Sequence, residues 1–545
     1  MHHNHAAINR REFLRYGTLA AVATAVDRGA PTRLSQPLLV TPPAFDLAEA
    51  TIAELQQGMR SGRYTARALC EQYLTRIDAL DRRGPAIRAV LETNPDALAI
   101  ADSLDAERRA KGARGPLHGI PLLVKDNIAT GDRMATTAGS LALVGAKVPR
   151  DAFVAERLRA AGAVILGKTN LSEWANFRSS HSSSGWSARG GQCRNPYALD
   201  RSPCGSSSGS GAAVAASCCA VAVGSETDGS IVCPAAAQAL VGIKPTLGLV
   251  SRSGIIPIAH SQDTAGPMAR TVADAAVLLG ALAGVDPRDP ATLGSQGRGA
   301  SDYTAFLDPN GLKGARLGVA RTKFFGYHPP TDRLVEQALD TMRRLGAVIV
   351  DPADIPHAGE YDDSELDVLL YEFKADLNRY LADLGADAPV HTLRDVMDFN
   401  ARHRAEELTY FDQDLFEKAQ AKGPLTEEAY VKALAKDQRL SRDEGLDVVL
   451  AQFTLDAVVA PTGNPPWTID LVNGDHFVGG SSTPAAVAGY PSITVPVGDV
   501  FGLPVGVSFI GRPYSEPLLI KLGYALEQAI RARRPPRFLP SADLP

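Results

Sequence analysis

The chain is poor in the features that announce a specialised class of protein. Cysteine is scarce, at 6 of 545 residues. No two cysteines stand as C-x-x-C, and the adjacent Cys218 and Cys219 fit no zinc-site spacing. Most of the six are expected to be small buried side chains, and a disulfide framework is not expected in so large a chain. Charge of one sign is also missing. Lys plus Arg number 56 against 61 for Asp plus Glu, a net charge of −5, so no basic surface argues for nucleic acid. No internal repeat and no long low-complexity tract occur. What remains is ordinary globular composition, 45% hydrophobic and 21% charged, with 49 Gly and 37 Pro scattered as turns.

The N-terminus is the exception to this plainness. Arg10 and Arg11 precede a small-residue apolar run, Tyr16 to Val26, that holds Ala23-Thr24-Ala25. The run is too short to span a bilayer. It resembles a twin-arginine export signal over about residues 1–30, which implies a periplasmic or secreted protein. Without export the protein would be cytoplasmic. Residues 31–44 read as a Pro-containing linker. No other segment is apolar enough to cross a membrane, so no membrane association is expected after signal removal.

From residue 45 onward the pattern is that of one large domain. Leu47, Ile52, Leu55 and Met59 recur at near-helical spacing, with Gly62 as a stop, and a second helix is expected over about 65–80. Ile120 to Val124 reads as a short buried strand emerging at Lys125. "DAFVAERLRAAGAVILGKTN" reads as helix, Gly162 turn and buried strand. "GSGAAVAASCCAVAVG" is a helix too apolar to be exposed. Later strands are expected at 317–320, 348–350, 457–460, 493–497 and 505–510. This alternation predicts an α/β fold with a large mixed central sheet and helices on both faces. The charged, strand-poor stretch from about 325 to 450 reads as a helical insertion.

Three features carry chemistry. "CGSSSGSG" formally contains G-x-S-x-G around Ser207, the nucleophile elbow of α/β-hydrolase esterases. That motif needs a strand just upstream, and "NPYALDRSP" is not one. A phosphate loop is excluded because no G-K-[ST] follows. The second feature is "GSETDGSIVCPAA", which sets Ser230 in a turn whose backbone N–H groups are suited to hold an oxyanion. The third is Lys125 at the end of an apolar strand. Burial there lowers its pKa, and a neutral amine is a general base that needs no histidine.

In this order and at this spacing, Lys125, "CGSSSGSGAAVAA", "GSETDGSIVCPAA" and "VGIKPTLGLVSRSGI" resemble the amidase signature family. "PLHGIPLLVKDNI", "QDTAGPMARTVADAA" and "AGYPSITVPVGDVFGLPVGVSFIG" fit as well, so the resemblance runs from about Phe45 to Arg534. It implies that fold and a Ser–cisSer–Lys triad. Ser230 is the implied nucleophile, and Ser206 the bridge, preceded by a cis bond after Gly205. Lys125 is the terminal base. The implied oxyanion hole is the backbone N–H of Thr227, Asp228, Gly229 and Ser230. No metal and no cofactor are implied. The implied partner is a small-molecule or peptide amide. Nothing bears on the oligomeric state.

Two departures from the family pattern refine this, and the first is that the usual G-G-S-S-G-G-S becomes Cys204-Gly205-Ser206-Ser207-Ser208-Gly209-Ser210. Asp228 stands where a glycine is usual, which predicts a left-handed conformation that Asp tolerates. Together with "ETDGSIVCPAA" and "GWSARGGQCRNPY", it resembles the bacterial peptide amidases, which release ammonia from the C-terminal amide of peptides. Trp174, Asn176, Phe177 and Trp186 are candidates to line the acyl pocket, or else core aromatics. The alternatives are a general amidase on small or aliphatic amides, and the glutaminase-type subunit of a tRNA amidotransferase.

Overall fold

The computed structural model describes residues 45–544, so the segments read as export signal and linker lie outside the described residues. Among the described residues thirteen strands occur in chain order: β1 (Val90–Thr93), β2 (Pro121–Lys125), β3 (Val164–Thr169), β4 (Trp186–Ser187), β5 (Gly191–Gln192), β6 (Val221–Glu226), β7 (Val241–Lys244), β8 (Thr264–Ala269), β9 (Arg316–Val319), β10 (Val348–Val350), β11 (Ala457–Pro461), β12 (Ser492–Val500) and β13 (Leu503–Ile510). Eleven form one mixed sheet in the order β1-β3-β2-β6-β8-β7-β12-β13-β11-β9-β10, and β4 pairs with β5 as a separate ribbon. No helix among the described residues is long and apolar enough to cross a membrane.

The arrangement of β3, β2 and β6 places the site. All three are parallel, with Val124 of β2 beside Val223 of β6 and Lys168 of β3. Strands covered on both faces read as unbroken apolar runs, and every residue of these three is buried. Parallel neighbours end on the same edge of a sheet, where ligand sites in such folds collect. Here that edge receives Lys125 and Glu226.

Helix α1 (Ser208–Ala215) is wholly buried, but it corrects the expected apolar helix: it stops at Ala215, and the following Val221–Glu226 is the buried strand β6, because an apolar run covered on both faces fits either element. Helix α2 (Val232–Ala236) follows the Ser230 turn. Helix α3 (Pro329–Arg344) leads into β10, an edge strand parallel to β9, so both belong to the sheet layer. Between β10 and β11 lies a helical cap, including α4 (Asp362–Asp383), α5 (Leu393–Arg402), α6 (Asp414–Ala421) and α7 (Glu428–Gln438). The cap docks on the sheet body through its own apolar cluster. In it, Phe373, Leu377 and Phe416 of the cap meet Trp174, Phe177, Ile256 and Ile258 of the body.

Candidate active site

Lys125 is the last residue of β2 and is fully buried. Its Nζ donates to Ser206 Oγ at 2.7 Å, to Ser225 Oγ at 2.9 Å and to the Ser225 carbonyl at 3.2 Å. Asn127 Nδ2 donates to the same Ser225 Oγ at 2.9 Å, which fixes that hydroxyl beside the amine. Burial penalises the ammonium and lowers the Lys125 pKa to about 7, although the nearby carboxylates of Asp263 and Glu226 pull the other way.

Ser206 sits in the loop before α1, and Ser230 in the turn between β6 and α2. Ser230 Oγ accepts a hydrogen bond from the Ser206 backbone N–H at 3.2 Å, so the two serines are adjacent. Glu226, the last residue of β6, accepts from the backbone N–H of Ile231 at 2.7 Å and Val232 at 2.9 Å, anchoring the turn that presents Ser230. Ser172 steadies the opposite loop. Its Oγ donates to the Gly205 carbonyl at 2.9 Å, and its N–H donates to the Ser206 carbonyl at 3.2 Å.

Among the described residues, the backbone N–H groups of Thr227, Asp228, Gly229 and Ser230 have no hydrogen-bond partner. Four free donors on one turn are what an oxyanion needs. The left-handed residue of this turn is Gly229, with φ 75°, and Asp228 keeps a negative φ. The expectation for Asp228 is thereby corrected: the following glycine absorbs the strain, and the Asp228 carboxylate instead accepts from Thr483 Oγ1 at 2.6 Å.

A second correction concerns the Gly205–Ser206 bond. Among the described residues the one cis peptide bond is Asp351–Pro352, and Gly205–Ser206 is trans. The chain makes its reversal through two positive φ angles instead, 59° at Cys204 and 58° at Gly205. A side chain at Gly205 would place Cβ 2.8 Å from Pro234 Cδ, so the approach of this loop to α2 depends on glycine.

Cys204 and Cys233 form a disulfide across the same approach, with Cα atoms 5.8 Å apart. The other four cysteines are free and buried, as expected. The bonded pair joins the loop that holds Ser206 to the helix that follows Ser230.

Ser207, the alternative esterase residue, is used up structurally. Its Oγ donates to the Ser225 carbonyl at 2.9 Å and accepts from the Ser225 N–H at 3.1 Å. The aromatic candidates are core residues. Trp174 packs edge-on against Phe416, Phe177 against Phe373, and Trp186 against Tyr410 and Phe411 of the cap. What the sequence hid is the backbone between them. Trp174, Ala175 and Asn176 all have positive φ (50°, 55° and 69°), a strained run of the kind found at functional loops. It turns Trp174 into the core and puts Ala175 on a cavity of about 560 Å³ that also reaches Asn127, Ser225, Thr227 and His260.

A buried amine on two serine hydroxyls, a third serine on a turn, and unpaired amide donors are the groups that acyl transfer from an amide requires. The sequence profile of the family described as Amidase matches residues 68–520. The chain belongs to the amidase signature family. It is an amidase, a hydrolase acting on amides. A probable amidase of Arabidopsis thaliana is 43% identical over 504 residues, covering 91% of this chain and 93% of that protein. The native peptide amidase from Stenotrophomonas maltophilia superposes with a TM-score of 0.87 at 55% identity, covering 91% of this amidase and all of that chain. A glutamyl-tRNA(Gln) amidotransferase subunit of Chloroflexus aurantiacus is 35% identical over 509 residues, 89% of this chain and 97% of its own.

Proposed function

We propose that this amidase hydrolyses the C-terminal amide of peptides to the free acid and ammonia, with Ser230 as nucleophile, Ser206 as proton relay and Lys125 as base. The observation that carries the mechanism is a fully buried lysine, with pKa near 7, on the Ser206 hydroxyl at 2.7 Å. A neutral Lys125 accepts the Ser206 proton while Ser206 accepts the proton of Ser230 Oγ. The χ1 rotation of Ser230 from the Ser206 N–H toward its hydroxyl completes that path. Apo contacts of this kind commonly tighten only with substrate bound.

Ser230 Oγ then bonds to the amide carbon, and the C=O electron pair moves to oxygen, facing the N–H groups of Thr227 to Ser230. The protonated Lys125 returns its proton through Ser206 to the amide nitrogen. The C–N bond breaks and ammonia leaves an acyl-Ser230 ester. Water, deprotonated along the same path, attacks the ester, and Ser230 recovers its proton as the acid departs. The trans bond at Ser206 does not alter these roles, because the relay needs only the hydroxyl.

The peptide-amide reading is supported by the 55% identity to a peptide amidase, above the identities to the probable plant amidase and the tRNA-linked amidotransferase. The test is an ammonia-release screen over C-terminally amidated peptides, free amino-acid amides, glutamine and aliphatic amides. Activity on amidated peptides is expected, and activity on glutamine alone overturns the reading.

Export through Arg10 and Arg11 belongs to the same proposal. The Cys204–Cys233 disulfide supports it, since disulfides persist in oxidising compartments and are rare in the cytosol. Replacing Arg10 and Arg11 by lysine is expected to leave the protein in the cytoplasm, and unchanged export refutes it.

A further inference from the structure

The loop Ile258–Asp263 joins the site to the cap residue by residue. Its last member, Asp263, faces the site: Thr227 Oγ1 donates to Asp263 Oδ1 at 2.6 Å, and Oδ2 accepts from the N–H groups of Ile258 at 2.8 Å and Ala259 at 3.0 Å. The three preceding residues face the cap. His260 N–H and Nδ1 meet Asp376 Oδ2 at 3.1 and 2.7 Å, and His260 Nε2 lies 3.4 Å from Glu372 Oε1. Ser261 N–H donates to Glu372 Oε2 at 2.9 Å. Gln262 Nε2 donates to Glu365 Oε1 at 2.8 Å and reaches the Thr227 carbonyl at 3.4 Å. Positions 365, 372 and 376 fall on one stripe of α4, two turns and then one turn apart. A single face of the cap helix therefore grips a loop whose far end holds the first residue of the proposed oxyanion turn.

We propose that His260 is a positioning residue, which as an imidazolium clamped between Asp376 and Glu372 latches the cap onto this loop and so sets the geometry of Thr227 for amide hydrolysis. The inference rests on the proposed use of the Thr227–Ser230 turn as oxyanion hole.

The charges around His260 fit that role. From α4 come Asp376, Glu372 and Arg379, whose Nη1 lies 3.4 Å from Asp376 Oδ1. From α7, the Tyr430 hydroxyl occupies Glu372 Oε1 at 2.8 Å. From the body, Arg252 donates to the His260 carbonyl and is itself paired with Asp289 at 2.5 Å. Asp263, in the same loop, lines one cavity with His260. Burial alone would lower the His260 pKa. The hydrogen bond to Asp376 and the charges of Glu372 and Asp376 outweigh it and the opposing Arg252, so the value is raised. The sign follows. A raised pKa means that the latch is at full strength below the ordinary value of about 6.5 and weakens as pH rises through the elevated one. Lys125 runs the other way, becoming an active base as pH rises through about 7.

The experiment is the pH profile of kcat and KM on the best amide substrate, for wild type, His260→Gln and His260→Lys. Wild type is expected to gain rate as Lys125 loses its proton through about 7 and to lose rate as His260 loses its own at its raised pKa. His260→Gln should lose the falling limb and lower kcat by roughly tenfold, short of the ~100-fold that a 1 Å misplacement at a reacting centre costs, with KM little changed. His260→Lys, whose charge does not titrate until about 10.4, should restore kcat and also lack the falling limb. A wild-type profile in His260→Gln, or a defect confined to KM, overturns the inference while leaving the hydrolase reading intact. If wild type hydrolyses no amide, both fall. If His260→Gln does not fold, the His260→Lys profile decides: a retained falling limb overturns the inference.

Discussion

Three lysines lie at or next to the ends of strands in the central sheet, and all three are fully buried: Lys125 on β2, Lys168 on β3 and Lys244 on β7. Lys244 Nζ donates to the carbonyls of Tyr490 at 2.8 Å and Pro245 at 3.2 Å. Lys168 donates to the Ile128 carbonyl at 2.6 Å and Thr136 Oγ1 at 2.8 Å. Lys125 alone of the three meets two hydroxyls, those of Ser206 and Ser225. A carbonyl can only accept, so it offers nothing to the lone pair that an amine gains on losing its proton. A hydroxyl can turn and donate, so a lysine tied to hydroxyls can give up a proton and still be paired. Burial lowers the pKa of all three, to about 8 for Lys168 and Lys244 and to about 7 for Lys125. Equal burial thus leaves three amines that differ in their partners, and those partners single out Lys125 for the proposed role of base.

The sharpest way to break this contrast is to remove each amine. Lys125→Ala and Ser230→Ala should each lower kcat by roughly 10³-fold or more without unfolding the protein, since members of a catalytic unit fail together. Ammonia release at saturating substrate reads this out. Lys244→Met should do the reverse. It strands two buried carbonyls at about 1–3 kcal/mol each, lowering the denaturant midpoint while the folded fraction keeps near-normal kcat. Loss of kcat in Lys244→Met, with stability unchanged, would erase the distinction.

A smaller effect tests the clamp between the two serine loops. The Cys204–Cys233 bond closes a loop of sequence separation 29, so Cys204→Ser with Cys233→Ser should cost about 3–4 kcal/mol, read as a fall in unfolding midpoint. Equal stability with and without a thiol reductant would remove the clamp from the account. Smaller still is Ser207→Ala. That side chain bonds only the β6 backbone, so kcat should change by less than about tenfold, at a stability cost of about 1 kcal/mol. Inactivity in that variant would revive the esterase alternative.

Much of this arrangement was legible in the chain. The apolar run ending at Lys125 reads as a strand because both faces are covered, whereas the run ending at Glu226 reads as the tail of an apolar helix; the structure makes it β6, whose parallel pairing with β2 brings Lys125, Ser206 and Ser230 to one sheet edge. Several parts were not legible, each for a physical reason. The partners of Lys125, Asn127 and Ser225, are small polar residues whose role exists only once β2 and β6 are adjacent. The Cys204–Cys233 bond depends on the tight turn at Gly205, which no cysteine spacing signals. The aromatic segment misled as a pocket lining because three successive positive φ angles rotate Trp174 into the cap interface and leave Ala175 facing the cavity. The contacts of His260 join segments more than a hundred residues apart, 260 with 376, and carry no local pattern.

The most direct test of the central claim is the rate at which Ser230 is modified by an alkyl fluorophosphonate as a function of pH. Such labelling reports activation of the hydroxyl without any need to know the amide. The account predicts a rate that rises as pH passes through about 7, that vanishes in Ser230→Ala, and that falls to a pH-flat residue in Lys125→Ala. Labelling of Lys125→Ala at the wild-type rate and with the wild-type pH profile would contradict it.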